Sequence, residues 1–299
     1  MAYNPWLHRF CVLLWVSTLI LVMAGATVVS KEAGLSVPDW PLSYGKVMPE
    51  MTGGVFYEHG HRMIATAVGF LTIILAVWLW RSDSRSWVKR LGFYALLGVI
   101  AQGVFGGLTV LFLLPKPVSV AHACTALLLF SLTVAIALFT SEGWLRGPEI
   151  VEDCGTPSAR SLAILLPLSV LAQIALGAAY RHKAFNIIPH IAGAMVVAAI
   201  VIYTGIVLST SFAGHRTLRK AAMHLIGLVS VQVILGIAAY VSRVVTADNP
   251  QPATWMVWLT VVHVGAGALT MSASLTTSIQ ILRNVRTVEI PDGKWAVSS

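Results

Sequence analysis

The groups in this chain that could do chemistry are few. The stretch YEHGHRMIATAVGF, residues 57–70, sets Glu58, His59, His61 and Arg62 at the mouth of an apolar run. Single histidines stand in three later apolar runs, at His122, His190 and His263. Ionisable side chains at bilayer depth are costly and are usually kept for a function. Matched histidines suit a proton relay, a bare metal site or axial ligation of haem iron.

The elements that must position these groups are membrane helices. The chain has 299 residues, 57% of them hydrophobic and 11% charged, with a mean hydropathy of +0.80. A soluble domain would carry about a quarter charged residues. Crossing the hydrocarbon takes roughly 20 mostly apolar residues as helix. Such runs occur near 9–30, 58–80, 90–112, 118–140, 161–180, 187–208, 220–242 and 255–281. The period-two pattern of a membrane barrel is absent, which leaves helices as the spanning structure. The sequence therefore predicts an all-α integral membrane protein of eight transmembrane helices, with the first span retained rather than removed as a signal peptide.

The net charge of +8 reports topology, not a nucleic-acid partner. Arg81, Arg85, Lys89 and Arg90 fall between spans two and three, and Arg216, Arg219 and Lys220 between spans six and seven. The segments on the other side carry fewer basic residues. By the positive-inside rule both termini are cytoplasmic, in a multi-pass protein of the cell's inner (plasma) membrane. Cys11, Cys124 and Cys154 have no evident mates on the oxidising side, so no disulfide is expected.

The polar segment SEGWLRGPEIVEDCGTPSAR, residues 141–160, divides the spans four and four. This gives an N-terminal half at 1–144, a cytoplasmic linker at 145–160 and a C-terminal half at 161–299. Spans three, five and seven repeat Gln-x-x-x-Gly, as Gln102/Gly106, Gln173/Gly177 and Gln232/Gly236, while span one has only the glycine, in VMAGATVV. Such a surface suits close approach of a helix or a flat ligand. Each even span has one histidine near its outer end, followed four residues later by Ala65, Ala126, Ala194 or Gly267. Four spans per half make the halves parallel repeats. The expected architecture is two pseudo-symmetric four-helix bundles, each with two histidines toward the outer face.

Zinc or copper usually takes three or four protein ligands, more than two imidazoles provide. Haem iron, already held by the macrocycle, needs only the axial pair. His61, His122, His190 and His263 are thus candidate haem-iron ligands, and Arg62 a candidate partner for a propionate. His59 lies about 200° round the helix from His61 and cannot face the same site. Glu58 breaks the repeat. It shares the face of His61, and no carboxylate stands in the same place before the other three histidines. It suits either an ion pair with Arg62 or proton transfer beside the N-terminal site. One pocket with a carboxylate and one without suggest a catalytic and an auxiliary site.

The E-x-x-H-R that opens span two (Glu58, His61, Arg62), the preceding GLSVPDWPLSYG and the single histidines on spans four, six and eight resemble the haem A synthase family. The resemblance extends over nearly the whole chain in span number, repeat and histidine placement. It implies an oxidoreductase of cytochrome oxidase assembly that converts a methyl group of haem O to a formyl group, by successive hydroxylations and loss of water, giving haem A. It implies that His61 and His122 flank the substrate haem, that His190 and His263 ligate a resident haem b, and that Glu58 is the catalytic carboxylate. Haem O synthase, terminal oxidase assembly and an electron donor follow as implied partners. Many family members carry a cysteine pair in the first outer loop, and here Val37 and Ser43 stand at those places.

Two other functions suit parts of the pattern. A di-haem b electron-transfer subunit coupled to quinol would use all four histidines but leaves Glu58 and the long loop at 31–57 without a role. A transporter with histidine relays would need more polar lining than Gln102, Gln173 and Gln232 supply.

Overall fold

A computed structural model describes residues 3–287; the rest of the expected C-terminal half, 288–299, lies outside them. Eight long helices are apolar enough to cross a membrane. They are α1 (Pro5–Ser30), α2 (Gly53–Ser82), α3 (Ser86–Leu111), α4 (Lys116–Thr140), α6 (Ala159–Arg181), α7 (Ile188–Thr210), α8 (Arg216–Val245) and α9 (Thr254–Asn284). A single turn, α5 (Glu142–Leu145), and a short strand, β1 (Val151–Asp153), lie between α4 and α6, and β2 (Val285–Thr287) follows α9. The protein is all-helical in its spanning structure, as the apolar runs predict. The helices outrun those runs by up to five residues. The largest difference is at α2, where Gly53 and Gly54 begin the helix instead of closing the loop.

Helix ends are fixed by local chemistry. Asn4 Oδ1 accepts the backbone N–H groups of Trp6 and Leu7 at 3.1 Å, and Pro5 occupies the first turn of α1, where a missing donor is harmless. Asp153, at the end of β1, accepts the N–H of Ala159 at 2.6 Å and so holds the start of α6.

Neighbour relations close two rings. α1–α2–α3–α4 and back to α1 form one, and α6–α7–α8–α9 and back to α6 the other; they meet through α1, α4, α6 and α9. Each ring has its own apolar core, with Leu14, Leu75, Leu79 and Ile136 in the first and Leu166, Val201 and Leu225 in the second. A third cluster, Leu127, Phe130 and Ala268, fills the seam between α4 and α9. Within each ring α2 faces α4, and α7 faces α9, diagonally.

The linker is anchored rather than loose. β1 pairs in parallel with β2, Val151 against Val285 through Asp153 against Thr287. Arg160 donates to the carbonyls of Leu282 and Val285, and Arg283 stacks 3.8 Å over the Trp144 ring.

Candidate functional site: two histidine pairs on diagonal helices

The four candidate histidines all lie on diagonal helices: His61 on α2 and His122 on α4, His190 on α7 and His263 on α9. His190 and His263 stand with ring centroids 6.3 Å apart and planes at 88°. A metal–imidazole bond is about 2.0–2.1 Å, so one ion between two imidazoles puts their centroids roughly 6 Å apart. The C-terminal pair therefore stands at the separation that two imidazoles on one metal ion would have.

The surroundings explain why histidine can sit here. Each ring lies against a glycine of the preceding helix: His61 on Gly25, His122 on Gly106, His190 on Gly177 and His263 on Gly236. Nδ1 of His61, His122 and His263 is buried without a hydrogen-bond partner, whereas Gln173 Nε2 lies 3.0 Å from Nδ1 of His190 and donates to the His190 carbonyl at 2.8 Å. The glutamines are not equivalent. Gln102 Nε2 donates to Thr125 Oγ1 at 2.5 Å, and the Oε1 atoms of Gln173 and Gln232 are buried and unpartnered. Buried polar atoms in that state are uncommon in native structures. Diagonal imidazoles, glycine-lined helices and unpartnered ring nitrogens fit haem. The small residue after each histidine has another use in one case: a Cβ at Gly267 would press on Gln232.

The N-terminal site has a cap that its counterpart lacks. Glu58 is 4% exposed. Its Oε1 accepts from Arg62 Nη2 at 2.7 Å and its Oε2 from the backbone N–H of Val37 at 2.8 Å. Arg62 also donates to the carbonyls of Asp39 at 2.8 Å and Leu42 at 2.9 Å. The pair thus pins the outer loop, 31–52, to α2. Asp39 accepts the N–H groups of Tyr44 and Gly45, whose positive φ angles of 52° and 68° form the turn. The Gly45 bond, followed by that of Tyr44 and the charge of Arg62, holds the Asp39 carboxyl below its ordinary value despite some desolvation. Trp40 covers Gly107, next to the glycine under His122.

His59 points away from His61, as the helix period requires, and its Nδ1 meets Ser43 Oγ at 2.8 Å. The pairing of each histidine with a glycine was missed in the sequence. Both residues are visible there, but unequal connections hide their relation. A cavity of about 310 Å³ at the opposite end of the helices, bordered by Glu149, Phe212 and His215, belongs to the linker and not to either pair.

Fold and site together define a multi-pass helical membrane protein with two interior histidine pairs, one of them capped by a Glu–Arg-anchored loop. The COX15-CtaA family model, described as cytochrome oxidase assembly protein, matches residues 50–189. That range takes in Glu58, His61, Arg62 and His122 and stops short of His190 and His263. The chain is 29% identical over 169 residues to a heme A synthase of Symbiobacterium thermophilum, an alignment covering 55% of each chain. It is 30% identical over 145 residues to one of Lysinibacillus sphaericus, covering 48% of this chain and 47% of the relative. To one of Shewanella oneidensis it is 28% identical over 191 residues, covering 58% and 55%. The chain thus spans about half the length of the curated relatives it matches. The family model covers just under half of the chain, and the three relatives are named heme A synthases.

Proposed function

We propose that this protein is a haem A synthase, which oxidises a methyl group of haem O to a formyl group by two hydroxylations at one carbon and loss of water. The observation that carries this reading is the asymmetry between the pairs: both offer diagonal imidazoles, and only His61 and His122 lie beneath the cap anchored by Glu58 and Arg62. Haem, when bound, supplies the redox chemistry that no side chain has for an unactivated methyl group.

In this reading His61 and His122 would hold the substrate haem, and His190 and His263 would hold a resident haem b, which would supply electron transfer when bound. The loop at 31–52 limits water at the substrate site. Glu58 is the catalytic carboxylate, exchanging protons near the reacting carbon through whichever oxygen Arg62 or Val37 releases. Arg62 aligns Glu58 and keeps the loop seated through the carbonyls of Asp39 and Leu42. The basic connections Arg81–Arg90 and Arg216–Lys220 support cytoplasmic termini, with both histidine pairs toward the outer face of the plasma membrane. The substrate would come from an enzyme that makes haem O, and the product would pass to terminal oxidase assembly.

Extraction of haem from membranes that contain this chain, a haem O-forming enzyme and a competent reductant tests the proposal. Chromatography and mass spectrometry should find haem A or its hydroxylated precursor. Haem O left unchanged by well-inserted protein would overturn it.

A further inference from the structure

The four histidine–glycine contacts are not alike. A Cβ at Gly177 or Gly236 would stand 2.9 Å from Cε1 of His190 or His263, and one at Gly25 would stand 3.0 Å from Cε1 of His61. At Gly106 the distance to His122 Cε1 would be 3.7 Å. Non-bonded carbons settle at about 3.5–4.0 Å, so three seats have no room for a side chain and the fourth has. The missing Cβ lets the imidazole lie close against the helix at each of the three tight seats.

We propose that Gly25, Gly177 and Gly236 are positioning residues for haem-ligating imidazoles, and that the open seat at Gly106 makes His122 the ligand that yields when one haem replaces another. This rests on the reading of the two histidine pairs as haem sites. Both histidines of the resident pair are seated tightly, and the pair that must release each product has one ligand with slack. Gln102 agrees with this: its amide is turned to Thr125, whereas Gln173 contacts the ring of His190.

A crowded imidazole that binds nothing can change rotamer. One whose Nε2 is on iron cannot. Alanine at a tight seat should therefore damage haem binding far more than folding.

The test uses the full chain with alanine at 25, 106, 177 or 236, and Gly103→Ala as control, because a Cβ at Gly103 meets nothing within 4 Å. Optical and electron paramagnetic resonance spectra report the spin state, gel filtration reports haem retention, and melting is followed with and without haem. Gly177→Ala and Gly236→Ala should lose the low-spin bis-imidazole signature or retain roughly tenfold less haem, the range seen when a ligand's support is removed. Their haem-free melting should stay with that of Gly103→Ala. Gly25→Ala should lower haem retention at the substrate pair, and Gly106→Ala should leave it unchanged.

An unaltered low-spin spectrum in Gly177→Ala and Gly236→Ala, or equal effects at tight and open seats, would overturn the proposal. So would variants that fail to accumulate, or that melt equally early with and without haem, since the glycines would then serve helix packing alone. The underlying reading fails separately, if His190→Ala and His263→Ala keep low-spin haem b.

Discussion

The backbone N–H of Val37 donates to Oε2 of Glu58 at 2.8 Å, across 21 residues of sequence. Val37 is fully buried, so the bond fastens the middle of the outer loop to the first turns of α2. Its partner oxygen is held by Arg62. The pair is at once a structural clasp and the only carboxylate–arginine couple among the described residues that lies beside a histidine pair.

The two duties of Glu58 come apart under substitution. Glu58→Gln keeps an acceptor for Val37, whereas Arg62→Gln releases several loop carbonyls at once. Arg62→Gln should raise protease cleavage within 31–52, at a cost of about 2–4 kcal/mol for a broken partly buried charge network. Glu58→Gln should leave cleavage unchanged and abolish haem A formation. Normal product from Glu58→Gln would end its catalytic role.

The turn at Asp39 makes the loop acid-sensitive in a defined direction. Its carboxyl is depressed in the folded protein by bonds from Gly45 and Tyr44. That stabilisation is complete above the ordinary value of 3.8 and is lost as pH falls through the lowered folded value. Protection of the Tyr44 and Gly45 amides against exchange should therefore hold down to about pH 4 and fall below it. In Asp39→Ala that protection should be lost throughout.

On the other side of the membrane, Asp83 and Arg85 shape the short α2–α3 connection. Asp83 is 2% exposed, and burial opposes its ionisation. The side-chain and backbone bonds from Arg85, with charge from Lys89, outweigh that and keep the carboxyl low. Arg85 reaches on to the Phe139 carbonyl at 3.0 Å. Asp83→Ala should cost roughly 3 kcal/mol in a denaturation series, the lower end for breaking a buried pair, because Arg85 keeps some solvent contact.

Arg181 bridges the rings. Its Nη2 donates to Ala26 O and Ser30 Oγ at the end of α1, 3.0 Å each. Arg181→Met keeps the stem and removes the bonds. It should lower stability by about 1.5–3 kcal/mol in a denaturation series.

Much of this architecture was legible in the sequence because the bilayer leaves few choices. Twenty apolar residues must become a helix, and eight such runs gave eight helices with only their ends misjudged. The diagonal placement of the histidines follows from one per even span. The seats did not show, since Gly25 and His61 are joined by a long loop and Gly177 and His190 by a short one. Nor did the β1–β2 pair, whose strands are three residues each and nearly the whole C-terminal half apart. The second duty of Arg62, as anchor for Asp39 and Leu42, depends on loop carbonyls that no side-chain pattern announces.

That small strand pair makes the protein a candidate for fragment complementation. A polypeptide divided between Gly155 and Pro157 would leave β1 on the first piece, still hydrogen-bonded to β2 on the second, with Asp153 of the first holding the start of α6 in the other. Two coexpressed fragments would carry their own mating edge.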